Sequence, residues 1–197
     1  MDDVVIITRF NGMRDYLIDK GLADFNTPVY KHVPLDNLNV IRGKHVIGVL
    51  PLWLASIADR VTIVPLRYND YHPNQFGLRL KDISKVAGTP VTYQVVELEP
   101  VQDPDVMVIR HSGMRDYLIK NGIATFDTPF FRNVSDPKEV EGKHVVGILP
   151  LWLAVKAEYV TVVPLEIPFD LRGVELNYDQ VNKLAGSVAT YKATVVE

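Results

Sequence analysis

Gly43-Lys44-His45-Val46-Ile47-Gly48-Val49-Leu50-Pro51-Leu52-Trp53-Leu54-Ala55 decides the fold of this chain, because it occurs twice. The second copy reads Gly142-Lys143-His144-Val145-Val146-Gly147-Ile148-Leu149-Pro150-Leu151-Trp152-Leu153-Ala154. Extended through 61–66 and 160–165, the copies agree at 17 of 24 positions, so the 197 residues are a tandem duplication. Each copy reads as strand, sharp turn, helix. The uncharged β-branched runs at 46–49 and 145–148 suit strands buried on both faces of a parallel sheet, and both stop at Leu-Pro. Pro51 and Pro150 are expected at the first helical position, where the missing N–H costs no hydrogen bond. A helix start at the carboxyl end of a central strand is where open α/β sheets bind ligands, and its free N–H groups favour anions. Trp53 and Trp152 read equally as core and as ligand contacts.

Outward from this stretch, the same order of elements recurs in both copies. A strand at 4–7 or 106–109 leads through a loop, Thr8 to Gly12 or Arg110 to Gly113, into a helix; eight of eleven positions match between 12–22 and 113–123. A short second strand after a proline turn is expected at 27–33 and 128–134, and a fourth strand at 61–64 and 160–163. The copies diverge most at 67–80 against 166–176. Helices ending at Ala87-Gly88 and Ala185-Gly186 follow, and last strands at 91–96 and 189–196 close the pattern. Strands alternating with helices imply α/β units of Rossmann-like type, each a mostly parallel sheet flanked by helices. The first repeat spans 1–98, a polar proline-bearing linker 99–104, and the second repeat 105–197. Fused copies of one fold mimic a homodimer, so a pseudo-two-fold dimer within one monomeric chain is expected, its strand-end loops sharing one cleft.

Composition narrows the function. A net charge of −3 argues against gripping long nucleic acid by phosphate neutralisation, but leaves room for a small anionic ligand held by a few arginines. With no cysteine and five scattered histidines, neither a thiolate zinc site nor any other metal site is expected, and no cofactor. No apolar run approaches the roughly 20 residues of a spanning helix, and Met1-Asp2-Asp3 lacks the basic start of a signal peptide. No membrane association and a cytoplasmic location are the expectation.

Arg9 and Arg110 stand at equivalent positions just past a buried strand, where a positive charge has no packing value; they read as ligand contacts or as surface ion pairs. His111 has Phe10 as its counterpart, and beside Arg110 and a Ser-Gly turn it suits an acid, a base, a phosphate donor or an idle loop histidine. His45 and His144 open their strands at the opposite end of the sheet and read as structural. Arg172-Gly173 with Glu175 is matched in the first copy to Phe76-Gly77 with Arg79; Glu175 either orients Arg172 or joins it in capping the following helix.

At this point the residues resemble a family. Val-Ile-Arg-His-x-Gly after the first strand, Gly-x-x-Val-x-Gly-x-Leu-Pro-Leu-x-Leu-Ala in the middle and Leu-Arg-Gly-x-Glu-Leu near the end are similar to the Csx-sixteen family of small CRISPR-associated proteins from type III systems. The resemblance implies a fold related to the CARF domains that sense cyclic oligoadenylates, and a ring nuclease that cleaves the cyclic tetra-adenylate messenger on a two-fold axis. It implies metal-independent attack by a ribose 2′-hydroxyl. Arg110 and Arg9 would stabilise charge, His111 would transfer a proton, and Arg172 positioned by Glu175 would touch a second phosphate. Asn11, Gly12, Ser112, Gly113 and Gly173, with the helix starts at Pro51, Leu52, Trp53, Pro150, Leu151 and Trp152, would bind the ligand. The first repeat departs at Phe10, Phe76 and Arg79. A sponge that sequesters the messenger without cutting it is the rival reading, and an unrelated nucleotide-binding α/β protein is the third.

Overall fold

The computed structural model describes residues 3–67 and 79–196. The chain forms two compact units. The first holds the residues up to Leu50, Leu54–Gln94 and the tail from Val195; the second holds Pro51–Trp53 and Val95–Thr194.

The first repeat runs β1 (Val4–Ile7), α1 (Asn11–Asp19), β2 (Val29–Tyr30), β3 (His45–Gly48), α2 (Leu52–Ala55), β4 (Arg60–Ile63), α3 (Leu80–Val86) and β5 (Val91–Leu98). The second runs β6 (Val106–Val108), α4 (Ser112–Lys120), β7 (Phe130–Phe131), β8 (His144–Gly147), α5 (Leu151–Ala154), β9 (Tyr159–Val162), α6 (Tyr178–Leu184) and β10 (Ala189–Val196). Strand order is β2-β1-β3-β4-β5 in the first unit and β7-β6-β8-β9-β10 in the second. Within each, the first three neighbour pairs are parallel and the last, β4 with β5 or β9 with β10, is antiparallel.

Alternation along the strands explains why the runs carry no charge. Ile6 and Ile47 pack with Tyr16 and Leu17 of α1 and Ile83 of α3, while Val5 and Val46 between them are also buried. The second unit repeats this with Met107 and Val146 against Met114, Leu118 and Val181. Burying each such side chain stabilises the fold by about 1.5–3 kcal/mol. Gly21 and Gly122 follow α1 and α4 at φ of +67°, the left-handed turn that ends a helix.

Four expectations need correction. Val49 and Ile148, read as strand interior, are 73% and 60% exposed, because β3 and β8 end at the preceding glycine. Gly147 takes φ +138°, and a Cβ there would sit 1.9 Å from the Val108 carbonyl oxygen; the chain bends outward at this contact. Pro150 is not the first helical residue but the N-cap of α5, at ψ 152°, with its carbonyl accepting from the N–H groups of Leu153 and Ala154 at 2.9 Å. The ring fixes φ alone, so an extended ψ is open to it. The helices at Leu-Trp-Leu-Ala are one turn long, too short for a strong dipole.

The fourth correction concerns register. Arg79 and Asn177 are the N-caps of α3 and α6, so Arg79 matches Asn177 and not Glu175. Phe76, Gly77 and most of the divergent loop lie outside the described residues.

Candidate functional site

In the second unit the chain leaves β6 through α4 to β7 on one side, then crosses to β8 on the other. The carboxyl ends of β6 and β8 are therefore a topological switch point, the usual ligand position of an open α/β sheet. A cavity of about 280 Å³ opens there, with Ile109, Leu149, Pro164 and Ile167 in its wall and Arg110 and His111 among its lining. Pro51, Leu52 and Trp53, which count with the same compact unit, also line it. Among the described residues, Arg110 and His111 are the only titratable side chains in that lining.

The start of α4 is built by a return of the chain. Glu175 Oε1 accepts from the Ser112 N–H at 2.6 Å and from the Ser112 hydroxyl at 2.9 Å. These bonds, first the backbone one and then the hydroxyl, hold the Glu175 carboxyl below the ordinary carboxylate range, with Arg132 and, when its ring is protonated, His111 adding to the effect. The next residue, Leu176, is fully buried; its carbonyl accepts from the Gly113 N–H at 3.1 Å and its own N–H donates to His111 Nδ1 at 3.3 Å. Gly113 is required for this approach, since a Cβ there would lie 2.3 Å from the Asn177 carbonyl carbon.

These bonds define what the site offers chemically. The helix-start donors of Ser112 and Gly113, expected to bind ligand, are engaged within the chain by Glu175 and Leu176. Glu175 lies against Ser112, with Oε2 3.5 Å from His111 Nδ1. With Nδ1 accepting the Leu176 N–H, neutral His111 carries its proton on Nε2. Arg110 precedes it, exposed, and Arg172 and Gly173 lie exposed in the turn before Glu175. The structure thus gathers Arg110, His111, Ser112, Gly113 and Glu175 at one helix start. Leu151 is buried, whereas Trp152 is 53% exposed and so is not a core residue.

In the first unit, Arg9 and Asn11 are exposed after β1, Gly12 is buried, and Phe10 packs against the core of Ile6, Tyr16 and Leu17. His45 and His144 take the structural role expected of them. His45 Nε2 meets Thr62 Oγ1 at 2.7 Å, His144 Nε2 meets Thr161 Oγ1 at 2.8 Å, and each threonine continues to a third strand through Thr92 or Thr190. Among the described residues there is no cluster of three or more metal-ligating side chains and no helix long and apolar enough to cross a membrane.

Leu176 is the site residue that sequence reasoning missed, because its contribution is a backbone N–H. A signal was present: Asn177 followed three residues later by Gln180 is a capping pair, and it places the segment before it at the mouth of the sheet.

Comparison with protein families finds that residues 106–194 match a family model described as "Putative CRISPR-associated protein (Cas_VVA1548)". The second repeat is thus similar to a CRISPR-associated family. No curated protein and no solved structure matches the chain.

Proposed function

We propose that this protein is a metal-independent ring nuclease of type III CRISPR signalling, acting on a cyclic oligoadenylate with the tetra-adenylate as the ring of choice. The observation that carries the reading is the placement of Arg110 and His111, alone among the titratable side chains of the described residues, at the switch-point cavity of a repeat similar to a CRISPR-associated family. The duplication supports a ligand with its own rotational symmetry, with Arg9 and Arg110 as paired phosphate contacts of a pseudo-dimer. A cavity of about 280 Å³ lies just below the range of roughly 300–1,000 Å³ that encloses a drug-sized ligand. It suits one base; the rest of a four-nucleotide ring would lie over the mouth.

In the proposed reaction a ribose 2′-oxygen attacks the adjacent 3′-phosphorus. The P–O2′ bond forms, the P–O5′ bond breaks, the 2′ proton passes to solvent water and the departing O5′ takes a proton from water. A cyclic phosphate and a 5′-hydroxyl result. The protein's part is to hold the three atoms in line and to stabilise charge on the phosphoryl oxygens, which falls to Arg110 and His111, with Arg172 as a further phosphate contact.

Labelled cyclic tetra-adenylate incubated with the protein, with and without chelator, tests this. Chelator-insensitive loss of the ring is expected, and Arg110→Ala and His111→Ala should each slow it by about 100- to 1,000-fold. Unchanged rates in both variants reject the site, and chelator-sensitive loss rejects the metal-free mechanism. Retention without product would favour the sponge, a reading that draws on Phe10 standing in the first repeat where the second has His111.

A further inference from the structure

We infer that the segment Glu175-Leu176-Asn177 is a clamp that holds His111 as a hydrogen-bond donor through Nε2. In the reaction proposed above, on which this inference rests for its substrate, His111 then donates to a phosphoryl oxygen and does not take the 2′-hydroxyl proton. A general base needs a lone pair on the atom that faces the substrate. Here the lone pair of Nδ1 accepts the Leu176 N–H at 3.3 Å, nearer than Glu175 Oε2 at 3.5 Å, so the neutral ring carries its proton on Nε2, across from the clamp.

The clamp is pinned at three points. The Leu176 side chain is fully buried in the core of the second unit, which fixes its backbone. The Gly113 N–H donates to the Leu176 carbonyl, and the absence of a Cβ at Gly113 lets the two backbones meet. The Glu175 carboxylate takes both donors of Ser112. Gly113, Glu175 and Leu176 are positioning residues: they act on the reaction through His111.

The test uses the full chain, with ring nitrogen-15 NMR of His111 and turnover of labelled cyclic tetra-adenylate. The expected spectrum is that of an Nε2–H tautomer with Nδ1 accepting; a proton found on Nδ1 overturns the clamp. His111→Gln keeps an N–H donor but no base, and its turnover should stay within about tenfold of the starting protein, whereas loss of a base costs about 100- to 10,000-fold. A Gln variant as inactive as His111→Phe overturns the donor role. Glu175→Ala should speed amide exchange at Leu176 by about tenfold, the loss expected for a hydrogen bond to a charged group; unchanged exchange removes Glu175 from the clamp. Should that variant not fold, Glu175→Gln, which keeps the shape and removes the charge from both bonds to Ser112, gives the same reading to a smaller degree. If the starting protein cuts no ring, the ring nuclease reading falls, while the tautomer and the Leu176 exchange still decide the clamp.

Discussion

The starts of α1 and α4 share a backbone and differ in chemistry. Both follow a buried strand, both carry an arginine and then a glycine three residues on, and both helices seal a core with an equivalent leucine, Leu17 or Leu118, that is fully buried. The residue after the arginine separates them. In the first unit Phe10 leans into the core; in the second His111 lines a cavity and is held by Leu176. One position thus serves either packing or a titratable group without disturbing the helix behind it. A duplicated scaffold tolerates this because the helix depends on its apolar stripe and not on the residue at its cap.

The largest effect should come from the part the two regions share. Leu17→Ala and Leu118→Ala each delete a fully buried side chain between helix and sheet, and each should cost about 2–5 kcal/mol in urea unfolding. Only Leu118 lines the cavity, so Leu118→Ala alone should change occupancy of the cavity by a small apolar probe such as xenon. Equal probe uptake in both variants would break the contrast between a filled and an open helix start.

A smaller effect is expected from converting one region toward the other. Phe10→His removes a partly buried ring and should destabilise the first unit by about 1 kcal/mol. It should raise turnover of cyclic tetra-adenylate less than about twofold, because a histidine alone is not positioned. Among the described residues, no carboxylate is bonded at the start of α1 as Glu175 is at the start of α4. A Phe10→His variant with twice the turnover or more would show that the clamp is dispensable.

The contrast also marks how far the sequence could be read. The strands and the helix stripes were legible because burial on both faces leaves long apolar runs, and a repeated run is hard to mistake. The mostly parallel order followed from the alternation of elements; the antiparallel direction of the closing strands, β5 and β10, did not, because alternation alone implies parallel neighbours. Leu-Trp-Leu-Ala reads as the opening of a helix, but its end after one turn has no mark in the sequence, because termination depends on contacts distant in sequence. Arg110, like Arg9, stood out as a charge placed after a buried strand, and His111 as a histidine beside it where the first copy has Phe10. The partner of Glu175 did not: the candidates were Arg172, three residues away, and the helix that follows, whereas Ser112 lies 63 residues away and offers a backbone N–H. Backbone donors carry no residue signature, so the clamp became visible only in three dimensions.

The smallest effect is the most specific to α4. The Glu175 carboxyl is held below its ordinary range, chiefly by the Ser112 N–H and hydroxyl, so the folded state binds its proton less readily than the unfolded chain does. The stability it contributes is therefore fully present above the unfolded carboxylate value of about 4.3 and is lost as pH falls through the lower folded value. Glu175→Gln removes that dependence. The gap in unfolding free energy between the starting protein and Glu175→Gln should be constant from neutral pH to that value and then close as acid is added. Because the carboxylate is half-exposed, the gap is screened by salt and should shrink in high ionic strength. Amide exchange separates this local effect from general acid unfolding: Ser112 should lose protection over the same acid range, while Asn11, its counterpart in the first repeat, should not. If both amides lose protection together, the carboxylate is not what distinguishes the two helix starts, and the difference rests on Phe10 and His111 alone.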